Sequence, residues 1–115
     1  MAAVRAWAAS PDSADRETTA TAVRFALQAF ADRYPGSSVE LRVPPFGAVQ
    51  CIEGPRHTRG TPPNVTELDA STWLELATGA ASWHEAQAVG RLRASGTRSD
   101  LSSHLPHLPL AAACF

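Results

Sequence analysis

The chain of 115 residues contains no lysine; all ten of its basic side chains are arginine. That excludes a lysine nucleophile and any Schiff base on a lysine amine. Charge is scarce and balanced: Asp, Glu, Lys and Arg make up 18% of the chain and the net charge is −1. No global field therefore recruits nucleic acid or an anionic membrane surface. Of the two cysteines, Cys51 sits in a strand-like run and Cys114 beside the C-terminus. They form neither a metal spacing nor a disulfide framework, so the reading is a reduced, cytoplasmic protein. No run approaches the roughly 18 apolar residues that cross a bilayer. The opening MAAVRAWAASP is interrupted by Arg5 and lacks a charged leader, so it does not read as a signal peptide. With 44% hydrophobic residues, the chain has the composition and length of one soluble domain.

No order is assigned to residues 1–10, and residues 11–115 read as a single domain. Ser10-Pro11-Asp12 has the hydroxyl, proline and acid of a helix start, and the helix is expected to end near Arg33, before Tyr34-Pro35-Gly36. Val23, Ala26, Leu27 and Phe30 make its core stripe, which Phe25 and Ala29 widen. Ser38 to Val43 alternates as a strand with one wet face. After Pro44-Pro45-Phe46-Gly47 comes a second strand, Ala48 to Glu53, with apolar groups on both faces and hence an expectation of deeper burial. Residues 54–63 are a loop by composition, and Asn64 to Asp69 returns to strand.

Three [ST]-x-x-[DE] signals follow: Thr72 with Glu75, Ser82 with Glu85, and Thr97 with Asp100. Gly79 and Gly90 stop the first two helices, and a strand from Arg91 to Ser95 ends at Gly96. Pro106 and Pro109 limit the last helix to about two turns. The order is α-β-β-β-α-α-β-α, an α+β domain with helices covering a mostly antiparallel sheet of four to five strands.

This order, with Leu76-Ala77-Thr78-Gly79 and Gly90-Arg91-Leu92-Arg93-Ala94-Ser95-Gly96 at its glycine stops, resembles the sterol carrier protein 2-like domain. The segments Val43 to Cys51 and Gly54 to Asn64 are similar to those of small actinobacterial sterol carrier family proteins. The resemblance covers about residues 15 to 110. It implies an apolar tunnel walled by the short helices and the closing helix, with Leu76, Trp83, Leu92, Leu101, Leu105 and Leu108 as candidate lining. Leu27 and Phe30 on the long helix, which suits a helix bordering a cavity, complete the candidate set.

Other constellations carry less. His84-Glu85 begins like H-E-x-x-H, but Ala88 stands where the second histidine is needed. Glu85 is explained by capping with Ser82. His104 and His107 are three apart, yet Pro106 lies between them and no further ligand is near, so no metal is expected. No serine sits in a G-x-S-x-G elbow, and Cys51 lacks a setting that would lower its pKa. Arg56, His57 and Arg59 form a polar cluster able to clamp a carboxylate or phosphate, or equally to pair with Glu40, Glu53 or Glu67 and hold the loop to the sheet. Trp73, with Leu76 and Ala77 on one helix face, reads as core.

Two readings of function follow. In the first, the chain is a non-catalytic carrier of a fatty acyl or other lipid-like ligand, without cofactor or metal. Arg56, His57 and Arg59 anchor the polar end, Asp100 to about Leu108 forms a helical lid, and membrane contact is at most transient. In the second it is a structural module with a filled core, binding a protein partner around Trp83 or forming a homodimer through a sheet edge or the closing helix. An independent enzyme is the weakest reading, since no nucleophile–base pair, paired carboxylates or metal set emerges.

Overall fold

The computed structural model describes residues 1–54 and 64–110. Its elements are α1 (Ala2–Ala9), α2 (Arg16–Arg33), β1 (Val39–Val43), β2 (Gly47–Cys51), β3 (Val65–Leu68), α3 (Ala70–Thr78), α4 (Trp83–Ala88) and β4 (Leu92–Ser95). A single 3₁₀ turn, Ser102–His104, follows.

The four strands form one sheet in the order β2-β1-β3-β4. β1 pairs antiparallel with β2 and parallel with β3, and β3 pairs antiparallel with β4. The sheet is therefore mixed, not the mostly antiparallel one expected. The reason is topological: β3 lies on the far side of β1 from β2 and runs in the direction of β1. Alternation within each segment is blind to that crossover, because it reports which face is wet and not which strand is the neighbour.

Val39, Leu41 and Val43 point into the core between the half-buried Glu40 and Arg42, as the alternation of β1 requires. Edge strand β2 departs from expectation. Ala48 and Gln50 are exposed and only Cys51 is buried, because the strand has a partner on one side and little covering its outer face.

Helix α2 buries Ala22, Val23, Ala26, Leu27 and Phe30, while Phe25 turns outward at 40% exposure and does not widen the stripe. The helix starts later than expected, at an Asp15 cap whose carboxylate accepts the Thr18 amide at 2.7 Å. That hydrogen bond holds the Asp15 pKa below the usual carboxylate value. Ser10 instead terminates α1, an alanine-rich helix that packs on α2 through the buried Val4 and Trp7. Val4 and Trp7 are three apart, so one face of a two-turn helix is enough to bury both.

Three more helix ends decide the geometry of the candidate site. α3 is capped by Asp69, which accepts the Thr72 amide at 2.8 Å, and not by Thr72, which lies buried in the first turn. Glu75, freed from any capping role, pairs with Arg91 ahead of β4. Gly79 ends α3 in the left-handed region (φ +89°), with its amide and that of Ala81 donating to the Glu75 carbonyl. Ser82 caps α4 as expected, its hydroxyl accepting the Glu85 amide at 3.2 Å.

The closing helix does not form. Thr97 starts nothing; Asp100 accepts the Ser102 amide at 2.9 Å, and only a single 3₁₀ turn follows. Leu105, just before Pro106, is extended (φ −116°, ψ 148°). A proline disfavours the helical region for the residue before it and removes an amide donor, and with Pro109 it keeps residues 105–110 out of a helix, with bends at His107 and Leu108.

Candidate functional site

The non-helical segment is tied to α3 by the helix's own unfinished end. The last carbonyls of an α-helix have no intrahelical donors. Here the Leu108 amide donates to the Ala77 carbonyl at 2.9 Å and the Leu110 amide to the Thr78 carbonyl at 3.1 Å. The segment thus acts as a strap across the C-terminal end of α3.

Between the strap and the α3–α4 turn lies a groove of about 490 Å³, open to solvent on one side. Leu76, Trp83, Leu105 and Pro106 supply its apolar wall, and His84, Glu85, Ser102 and Ser103 its polar rim. Of the sequence-predicted lining residues, Leu76, Trp83 and Leu105 come together here. Leu76 and Trp83 also belong to the buried core cluster, together with Leu27, Phe30, Leu92 and Leu101, and Leu105 and Leu108 pack partly buried against it. Arg56, His57 and Arg59 lie outside the described residues, as does Cys114. The turn residues Gly79 to Ser82 and the serines of the rim were not foreseen. Their sequence signals are the Gly79 stop and the Ser82 cap, which bring the start of α4 back beside the end of α3.

Under the strap is an aromatic cluster that sequence reasoning missed. The His107 ring stacks on Trp73 (5.3 Å between centroids, 29° between planes) and meets the edge of Phe30 at 5.1 Å. His104 packs between Phe30 and Tyr34, at 6.2 and 4.5 Å. The two histidines therefore serve as packing rings. Among the described residues no group of three or more His, Cys, Asp or Glu could hold a metal ion.

His107 Nε2 lies 2.8 Å from the Ala26 carbonyl oxygen and donates to it. Its Nδ1 is buried and without a partner among the described residues. Burial pushes the His107 pKa below its ordinary value, against the smaller opposing effect of the hydrogen bond to Ala26. The ring is accordingly neutral, with its proton on Nε2.

Cys51 is fully buried, and burial pushes its thiol up to about 12. A thiolate is the reactive form. In a Cys114→Ser background, Cys51 is expected to resist thiol reagents at neutral pH until denaturant is added. Stoichiometric labelling of the folded protein would contradict this burial.

The profile of a family described as bacterial SCP ortholog matches residues 15–107. The chain belongs to this bacterial sterol carrier protein-like family. At the level of the family, this suggests a lipid-binding or lipid-transfer role. No curated protein matches the sequence. Among the described residues, no helix is long and apolar enough to cross a membrane.

Proposed function

We propose that the chain binds a fatty acyl or other lipid-like molecule without catalysing its conversion, in the cytoplasm, with the groove beneath the strap as the way in. The observation that carries this reading is the groove itself. It is built by α3, α4 and the terminal segment, the elements expected to wall a ligand site, and its volume of about 490 Å³ falls in the range of small-molecule pockets. Leu76, Trp83 and Leu105 are its first apolar contacts, and Phe30, Leu101 and Leu108 lie deeper, reached when the strap lifts. Arg56, His57 and Arg59 take the charged end of the ligand. Each buried methylene contributes about 0.8 kcal/mol, so a chain of about fifteen carbons gains on the order of 10 kcal/mol before ordering costs. Micromolar binding is compatible with that balance.

A titration with a fluorescent acyl probe tests the reading. Saturable binding is expected, weakened at least roughly tenfold in Leu105→Asp, which sets a charge on a partly buried groove wall. Arg56→Ala is expected to weaken carboxylate probes more than neutral ones. Unaltered binding in Leu105→Asp would move the site elsewhere.

One observation favours a second reading. Leu27, Phe30 and Leu101 are at most 2% exposed, packed like an ordinary core. If that core never opens, the chain is an interaction module whose exposed groove receives a protein partner or a second copy. Absence of saturable probe binding would select it.

A further inference from the structure

Among the described residues the strap is attached by few parts: two backbone hydrogen bonds to the end of α3, apolar contacts of Leu105 and Leu108, and the ring of His107. Among the described residues, His107 is the one titratable group in that attachment. Its ring is clasped on three sides, by Trp73 below, Phe30 at its edge and the Ala26 carbonyl ahead. A neutral imidazole satisfies this arrangement with one donated hydrogen bond. A second proton would have to sit on Nδ1, which is buried and faces no acceptor among the described residues. We propose that His107 is a pH-sensitive latch on the strap: neutral, it holds residues 105–110 against α2 and α3; protonated, it releases them and opens the groove.

Among the described residues the surroundings offer no compensating charge. Of the charged groups on α2, Arg16 lies over the Phe46 ring, Arg24 donates to the Phe46 carbonyl, Asp32 accepts from Gln28 and Arg33 lies over Tyr34. Glu17 belongs to the first turn of α2, at the other end from the cluster. On α3, Glu75 is engaged by Arg91. Tyr34 meets His104, not His107. His84 and Glu85 stand across the groove from Leu105 and Pro106, on its rim. Among the described residues no carboxylate lies within ion-pair distance of His107.

The polar atoms left without partners point to the same seam. Thr72 Oγ1, Trp73 Nε1, Trp83 Nε1 and His107 Nδ1 are the buried side-chain polar atoms lacking a partner among the described residues. All four belong to α3, α4 or the strap. Buried polar groups without partners cost free energy, which weakens the packing that hides them.

The direction with pH follows by linkage. The docked strap holds the His107 pKa below the ordinary value that the released ring regains. Docking is therefore at full strength above about pH 6.5 and weakens as pH falls from there toward the lowered docked pKa. The latch rests on the lipid-binding reading only for what it admits; the opening itself is measured without ligand.

Amide hydrogen exchange of the ligand-free protein is the test, read at Leu108 and Leu110 and corrected for intrinsic rates. Between about pH 7.5 and about pH 5 the opening constant is expected to rise by roughly a factor of a few. His107→Gln keeps a donor for the Ala26 carbonyl and takes no proton, so its opening constant should stay flat. His107→Phe, which keeps the ring stack, serves as a second non-titrating variant if glutamine disturbs packing. His104→Gln should retain the rise. A flat profile in the unmodified protein, or the same rise in the His107 variants, would overturn the latch. Failure of an acyl probe to bind at either pH, with exchange still following His107, would contradict the lipid reading and leave the latch standing.

Discussion

Alanine in place of Gly36 is expected to destabilise the fold by about 3 kcal/mol or more, because backbone would have to occupy the same space as the new methyl group. Gly36 has φ +148°, and a Cβ built there would lie 2.1 Å from the Ile52 carbonyl oxygen and 2.3 Å from its carbon. Neither partner can move away cheaply. The Ile52 carbonyl accepts from the Ser38 amide at 3.1 Å and the Ser38 hydroxyl at 2.7 Å, and the Ile52 amide donates to the Tyr34 carbonyl at 2.8 Å. Ile52 is itself held at φ +67°, an uncommon conformation for a β-branched residue. The end of α2 is thus clamped to the end of β2 around a residue that has no side chain. Urea unfolding of Gly36→Ala measures the effect, and a loss below about 1 kcal/mol would mean that the clamp relaxes freely.

Trp73→Ala is expected to cost about 3–5 kcal/mol, the range for deleting a large buried aromatic. Trp73 is 0% exposed, meets the Phe30 ring edge-on at 5.9 Å and carries the stacked His107. Its removal opens a cavity where α2, α3 and the strap converge, so the strap should loosen along with the core. Trp73→Phe should cost much less, since the indole N–H has no partner among the described residues and its loss leaves no acceptor stranded. Equal losses in the two variants would contradict this account of the cluster.

The strands and the helix stops were legible because they depend on local chemistry. Val39, Leu41 and Val43 alternate with polar residues, Gly79 supplies a left-handed turn, and Ser82 stands three residues before the amide it caps. What failed depends on competition or on distance. Asp69 outcompeted Thr72 as a cap because any short acceptor side chain three residues ahead of a free amide serves, and a motif that ranks hydroxyls first misses it. Ser10-Pro11 reads as a helix start in isolation, yet the first nine residues had already formed a helix that needed a stop. The parallel pairing of β1 with β3 left no local mark, since it is set by where the chain travels after β2. The expected helical lid is instead a non-helical strap for a local reason that the sequence did carry: Pro106 and Pro109 interrupt the spacing of Leu101, Leu105 and Leu108. The candidate site was legible at Leu76, Trp83 and Leu105. The partnership of His107 with Trp73 was not, because it joins residues far apart in sequence and uses a histidine as a packing ring.

The measurement that bears most directly on the central claim is native mass spectrometry of the protein purified without detergent. The account predicts a one-to-one complex with an acyl-bearing species, displaced by added fatty acid and lost in Leu105→Asp. A spectrum of bare protein, with no adduct after incubation with fatty acid at roughly tens of micromolar, would contradict it.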